Sequence, residues 1–231
     1  MKKLSVIIPV FNEQSTVETI LKKVFAAPTP GFEKEIIVVN DGSTDQSFAI
    51  LTALRRDWKF VLVSHEKNLG KGAAIRTGLT HVSGQVVLIQ DADLECSPDD
   101  YPNLLKKFEE GNPIVYGSRN LDESKTAGRK YFLAFWGGKF LTKIFNLLFG
   151  TTLTDLNTAY KLFRADIIKN IDLREDGFSF CEEISAKCCR AGYRIAEVAI
   201  SYHPRKFSEG KKTRYSDGIS GLWVILKCWF G

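Results

Sequence analysis

Apolar positions in the first half of the chain come in unbroken bursts separated by stretches of helical period. "LSVIIPV" (Leu4–Val10), "EIIVVND" (Glu35–Asp41) and "QVVLIQD" (Gln85–Asp91) are continuous and β-branched, not alternating. That pattern suits strands buried on both faces of a parallel sheet. A further strand is predicted over Phe60–His65, "FVLVSH". Between strands, Gln14–Phe25 sets Val17, Ile20, Leu21 and Val24 at helical spacing; Gln46–Arg56 does the same with Phe48, Ile50, Leu51 and Leu54. A glycine-containing helix is predicted from Lys71 to His81. Strand–helix alternation of this kind makes an α/β unit, a mostly parallel central sheet flanked by helices.

The second half changes character. Tyr131–Phe149, "YFLAFWGGKFLTKIFNLLF", is apolar and aromatic, broken by Gly137, Gly138, Lys139 and Lys143. Two readings fit it: a helix lying in a membrane interface with its lysines toward headgroups, or an ordinary core helix pair. The end, "GISGLWVILKCWFG", sets Trp223, Trp229 and Phe230 beside Lys227. That is the composition of an interfacial anchor or of the start of a membrane segment. No apolar run approaches the roughly 18 residues that span a bilayer, so no integral span is expected. Pro9, Asn12 and Glu13 end the first apolar run too early for a signal peptide.

Composition narrows the class. At 44% hydrophobic and 26% charged over 231 residues, the chain can bury a full core, which excludes disorder throughout. The net charge of +5 is concentrated between Lys187 and Lys227. It fits a phosphate, a nucleic acid or an acidic membrane face, and equally a solvated surface. Five cysteines without repeating spacing argue against a disulfide framework and for reduced thiols in a cytosolic protein. His65, His81 and His203 have no ligand spacing and are expected at the surface or in the core.

The candidate chemistry lies where the strands end. The apolar runs finish in Asn12-Glu13, Asn40-Asp41 and Asp91-Ala92-Asp93, and open α/β sheets bind ligands beyond the carboxyl ends of their strands. In "VVLIQDADLECSPDD" the acids repel one another unless a cation joins them. Asp91 and Asp93 point to one side if the strand continues that far, and two such carboxylates can share a divalent ion. Oxygen-only ligands favour Mg²⁺ or Mn²⁺ over zinc, and Mg²⁺ completes its shell with phosphate oxygens and water. A nucleotide-linked substrate is therefore expected. Asp99 and Asp100 are expected to cap the helix that follows Pro98.

Taken together, "SVIIPVFNE", "IIVVNDGSTDQS", "NLGKGAAIRTGL", "VVLIQDADL" and "YGSRN" resemble the family 2 glycosyltransferases, which have the GT-A fold. "TDLNTAYKLFRADI", "FCEEISAKCCRAGYRIAEVAISY" and "RKFSEGKK" extend the resemblance over nearly the whole chain. They are similar to the polyprenyl-phosphate branch, the dolichyl-phosphate mannose synthase and glucosyltransferase type. The resemblance implies a GT-A domain over residues 1–205 and a basic, aromatic segment over 206–231 that serves as an interfacial membrane helix. It implies an inverting, metal-dependent hexosyltransferase. The donor is a nucleotide-diphosphate sugar of the UDP-glucose or GDP-mannose type, and the acceptor a polyprenyl phosphate. The enzyme would be cytoplasmic, peripheral to the membrane, and able to form homo-oligomers. A family 2 enzyme with a sugar hydroxyl as acceptor is the alternative.

Residue by residue, the resemblance places Pro9, Phe11, Glu13 and Asp41 around the nucleoside, with Asp41 bonding the base. Asn40 stands where the family often has another aspartate. Lys71 could serve the same pocket, though a surface lysine on a helix is the expected role. Asp91, Ala92 and Asp93 form the DxD motif, with Mg²⁺ or Mn²⁺ as cofactor and Glu95 a candidate third ligand. Arg205 and Lys211 close over the diphosphate, where preorganised cations meet developing charge. Arg119 binds the acceptor phosphate, with Arg129 a second candidate, because the arginine fork suits phosphate. Glu183 and Asp155 position the sugar or hold an arginine. A dinucleotide oxidoreductase is disfavoured, since "FNEQST" carries no G-x-G-x-x-G. No nucleic-acid partner is expected, because no stacking-plus-basic pattern is present.

Overall fold

The computed structural model describes residues 1–122, 124, 132–205 and 215–231. In chain order the elements are β1 (Lys2–Val10), α1 (Val17–Ala26), β2 (Phe32–Asn40), α2 (Ser47–Leu54), β3 (Val61–Ser64), α3 (Lys71–Leu79) and β4 (Val86–Ile89). After a 3₁₀ turn at Pro98–Asp100 come α4 (Tyr101–Glu109), β5 (Ile114–Ser118), α5 (Phe132–Phe149), β6 (Lys161–Arg164), α6 (Ala165–Asn170), α7 (Phe180–Arg190), β7 (Ala196–Ala199) and α8 (Tyr215–Phe230). The described strands form one sheet in the order β3-β2-β1-β4-β6-β5-β7. β1, β2, β3 and β4 pair in parallel, β5 pairs in parallel with β7, and β6 runs antiparallel to both of its neighbours.

The unbroken apolar runs have a direct physical cause. Successive side chains leave a strand on opposite faces. Leu4, Val6, Ile8, Ile36, Val38, Val86 and Leu88 fill one core; Ile7, Ile37, Val39, Val87 and Ile89 fill the other. Helix α1 buries Val17, Ile20, Leu21 and Val24, as its spacing predicts. In α2 only Ser47 and Leu51 are fully buried, and Phe48 is exposed. Ser47 takes an inward position because its Oγ accepts the Glu13 N–H at 2.8 Å. A third apolar cluster joins α5, α7 and α8 through Leu141, Phe145, Ala186, Val224 and Ile225. Among the described residues no helix is long and apolar enough to cross a membrane.

Candidate active site

The carboxyl ends of β1, β2, β3 and β4 open onto one edge, where the chain turns sharply. Asn12 and Leu94 have positive φ, at 49° and 63°. For a leucine the left-handed region is strained, and such strain concentrates at functional sites. β4 ends at Ile89, so Asp91 and Asp93 sit in this turn and not on a continued strand. Gln90 fixes the turn from below. It is fully buried, accepts the hydroxyls of Tyr101 and Tyr160 at 2.7 and 2.8 Å, and donates to the Asp91 carbonyl at 2.9 Å.

Lys71, the first residue of α3, lies inside the site and not on the surface. Its Nζ is 2.6 Å from Asp91 Oδ1, with only 14% of its side chain exposed. Burial works against its charge, but Asp91, Cys181 and Asp93 together hold the ammonium above the ordinary lysine value. Asp93 shows the opposite balance. Burial first, then the charges of Asp91 and Glu95, push its carboxyl up to about 7, against the pull of the Glu95 N–H and Arg205.

Arg205 reaches this cluster from the far side. Its Nη1 and Nη2 each donate to Glu13 at 2.9 Å, and Nη2 stands 3.6 Å from Asp93. Its Nε is buried without a hydrogen-bond partner. Glu95 holds the segment that carries Arg205. Its Oε1 accepts the Arg205 N–H at 2.8 Å, its Oε2 accepts the Tyr202 hydroxyl at 3.0 Å, and its carbonyl accepts the His203 N–H at 2.8 Å.

Asp41 is 2% exposed and spends its carboxylate on its surroundings: Oδ1 meets the Leu69 N–H at 2.9 Å and His65 Nδ1 at 2.7 Å, and Oδ2 accepts the Gly70 N–H at 2.8 Å. Gly70 has φ 102°, and a Cβ there would collide with the Asp176 carbonyl, so only glycine presents its amide in this way. Asn40 donates to Ser64 Oγ at 2.8 Å and ties β2 to β3. Pro9 and Phe11 lie half-buried along the same edge, and Ala92 is buried beneath the acids.

Arg119 follows β5. Its Nε and Nη2 grip Asp155 at 2.7 Å each, Nη2 also donates to the Asn157 carbonyl at 3.2 Å, and its guanidinium lies 5.0 Å from the Tyr202 ring centre. Asp155 therefore holds an arginine. Glu183 is spent on the Arg174 and Glu175 N–H groups and on Lys187. Arg129 and Lys211 lie outside the described residues. The expected helix cap is corrected: Ser97, not Asp99 or Asp100, accepts at the 3₁₀ start, and Asp100 receives the Ser201 N–H at 2.8 Å. The sequence reading missed His65, Gln90 and Tyr202, and it expected Lys71, which it named for the pocket, at the surface. For His65 a signal existed, since it follows β3 at the same sheet edge as the other site residues.

A divalent ion fits this donor set. Burial and the charges of Asp91 and Glu95 raise the Asp93 carboxyl, a repulsion that a bound cation would relieve, and among the described residues Arg205 Nε is a buried donor that an anionic oxygen would satisfy. Among the described residues no three His, Cys, Asp or Glu side chains converge to hold a metal by themselves. Mg²⁺ is commonly bound by one or two carboxylates, the rest coming from substrate phosphates and water.

Residues 5–172 match the model of the family described as "Glycosyl transferase family 2". The undecaprenyl-phosphate 4-deoxy-4-formamido-L-arabinose transferase of Klebsiella pneumoniae is 29% identical over 231 residues, covering 99% of this chain and 68% of that protein. The enzyme of the same name from Edwardsiella ictaluri is 28% identical over 211 residues, covering 90% of this chain and 62% of that protein. In structure, the glucosyl-3-phosphoglycerate synthase from Mycobacterium tuberculosis, solved with Mn²⁺, UDP and glucosyl-3-phosphoglycerate, superposes with a TM-score of 0.75 at 19% identity, covering 99% of this chain and 80% of that one. The same synthase was also solved with Mg²⁺ and UDP. The chain belongs to glycosyl transferase family 2 and is a glycosyltransferase with the GT-A fold.

Proposed function

We propose that the protein transfers a hexose from a nucleotide-diphosphate sugar, UDP-glucose or GDP-mannose in type, to a polyprenyl phosphate at the cytoplasmic face of a membrane. The observation that carries the reading is the Asp91–Asp93 pair facing Lys71 and Arg205 at the shared strand ends. The relatives named for undecaprenyl-phosphate transfer support the acceptor, and the synthase solved with Mn²⁺ or Mg²⁺ and UDP supports the donor and cofactor.

Asp91 and Asp93 would hold Mg²⁺ or Mn²⁺, with Glu95 kept as the anchor of the 202–205 segment. The bound ion supplies Lewis-acid stabilisation of the leaving diphosphate. Arg205, set by Glu13 and Glu95, offers its Nε to a diphosphate oxygen, and Lys211 would add a second cation. Pro9, Phe11 and Glu13 line the nucleoside pocket, while Asp41 keeps its loop in shape and leaves one lone-pair direction for the base. Arg119, held by Asp155, orients the acceptor phosphate, and Arg129 is a second candidate for that charge. The phosphate is already ionised near neutral pH, so a single in-line displacement with an oxocarbenium-like transition state needs no strong general base.

Membrane contact is supported by the outer faces of α5 and α8, where Phe140, Leu147, Trp223 and Phe230 are 60%, 84%, 68% and 84% exposed. We keep 1–205 as the catalytic unit and 206–231 as its appendage in function, while the inner face of α8 packs on α5 and α7. The test is transfer of radiolabelled sugar from a panel of UDP- and GDP-sugars, UDP-pentoses included because the relatives are named for an arabinose derivative. Label should enter an organic-extractable lipid and stop on chelation of divalent ions. Label entering only water-soluble glycan would favour the sugar-hydroxyl acceptor.

A further inference from the structure

Glu182, in the first turn of α7, is 1% exposed and has Asn157 as its hydrogen-bond partner. Asn157 Nδ2 donates to Glu182 Oε1 at 2.7 Å. The second acceptor on each side chain, Glu182 Oε2 and Asn157 Oδ1, is buried and meets no donor. Gly221 of α8 closes over the pair, since a Cβ there would come within 2.5 Å of Glu182 Oε1. A buried acceptor left unpaired is destabilising, and here two lie on partners already joined by one bond. A proton on Glu182 Oε2 would supply the missing donor, and given to Asn157 Oδ1 it would close a two-bond acid–amide ring with the existing bond.

We propose that Glu182 is a neutral carboxylic acid paired with the Asn157 amide, and that this pair is the positioning element for the loop beneath Arg119. That loop holds Arg119 twice, through the Asp155 carboxylate and the Asn157 carbonyl, so the ring fixes the arginine from behind. The inference does not depend on which donor or acceptor the enzyme uses.

The charged groups facing Glu182 are Lys161 of β6 and Asp217 of α8, while α5 brings apolar Leu141 and Phe145 to the adjoining cluster. Burial raises the Glu182 carboxyl and Asp217 adds to it, against Asn157 and Lys161. Lys161 turns its Nζ to the Leu156 carbonyl at 2.8 Å and over the Tyr116 ring.

The folded acid holds its proton more tightly than an unfolded glutamate, so this stabilisation is complete below the unfolded value of about 4.3. It is lost as pH rises toward the folded value, by up to about tenfold in the folding equilibrium constant per pH unit. Thermal unfolding of the full chain from about pH 4 upward starts where the stabilisation is complete and follows its loss. Glu182→Gln, which keeps the ring with N–H in place of O–H, should match wild type at the acid end and gain on it as pH rises. Glu182→Ala should be the least stable at the acid end. In infrared spectra of protein carrying ¹³C-labelled glutamate, wild type should show above the ordinary glutamate range a protonated-carboxyl band that Glu182→Gln lacks, while Glu197, also raised by burial, contributes equally to both. A stability difference independent of pH, or absence of that band, would overturn the proposal.

Discussion

Lys71 shows what a single residue can hide. In sequence it is one lysine of many, following Gly70 at the start of a helix. Its direction is set by the turn that brings Gly70 to Asp41 and by the fold that brings Asp91 opposite. Asp91 and Asp93 were legible because a buried strand followed by crowded acids makes electrostatic sense only with a cation. Gln90 and Tyr202 were not, because each acts through a partner distant in sequence: Tyr160 and Glu95. Glu95 is a candidate third ligand under the family resemblance, yet its oxygens are turned to Tyr202 and the Arg205 N–H. Replacing Lys71 by methionine leaves the Asp91 charge without its partner, and breaking a largely buried pair costs about 3 kcal/mol. The Lys71→Met variant should therefore melt lower than wild type without metal, and Mn²⁺ should raise its melting temperature more than it raises that of wild type. An equal Mn²⁺ response in both proteins would contradict the charge balance described for this site.

At the scale of elements, β1, β2 and β4 declared themselves because burial on both faces makes the central run of each strand almost wholly apolar. β6 could not, since its four residues include Lys161 and Arg164. Lys161 is tolerated inside the sheet by the Leu156 carbonyl and the Tyr116 ring, contacts that exist only after folding. The inner side of α5 packs with α7 and α8, as the core reading expects, while its outer side leaves Trp136 and Phe140 exposed. Lys139 lies 4.7 Å from the Phe135 ring centre on the same helix. Fully burying one large apolar side chain is worth about 1.5–3 kcal/mol. A Trp223→Ser, Phe230→Ser double variant should therefore lose tenfold or more of its partitioning onto vesicles of mixed zwitterionic and anionic lipid, on the order of 1.4 kcal/mol per decade. Because both residues are well exposed, its melting temperature should stay unchanged. Unaltered vesicle sedimentation would argue that this face serves another purpose.

For the molecule as a whole, two cores clamp the sheet and let one edge carry residues that do little for stability. Asp93 is the clearest case, held with its carboxyl at about 7 by burial and by neighbouring acids. Such a group weakens the ligand-free protein, and under the proposed function a cation and a diphosphate would offset that cost. Ligands that bind the native state raise apparent stability with the logarithm of their concentration over Kd. The measurement that tests this most directly compares wild type with Asp93→Ala, following melting temperature with Mn²⁺ and a nucleotide-sugar panel, and sugar transfer in parallel. Wild type should be stabilised by at least one nucleotide-sugar only when Mn²⁺ is present. Asp93→Ala should stay folded, melt no lower than wild type without ligand, show no such shift and transfer no sugar. Full transfer activity in Asp93→Ala, or no metal-dependent shift with any nucleotide-sugar in wild type, would contradict the account.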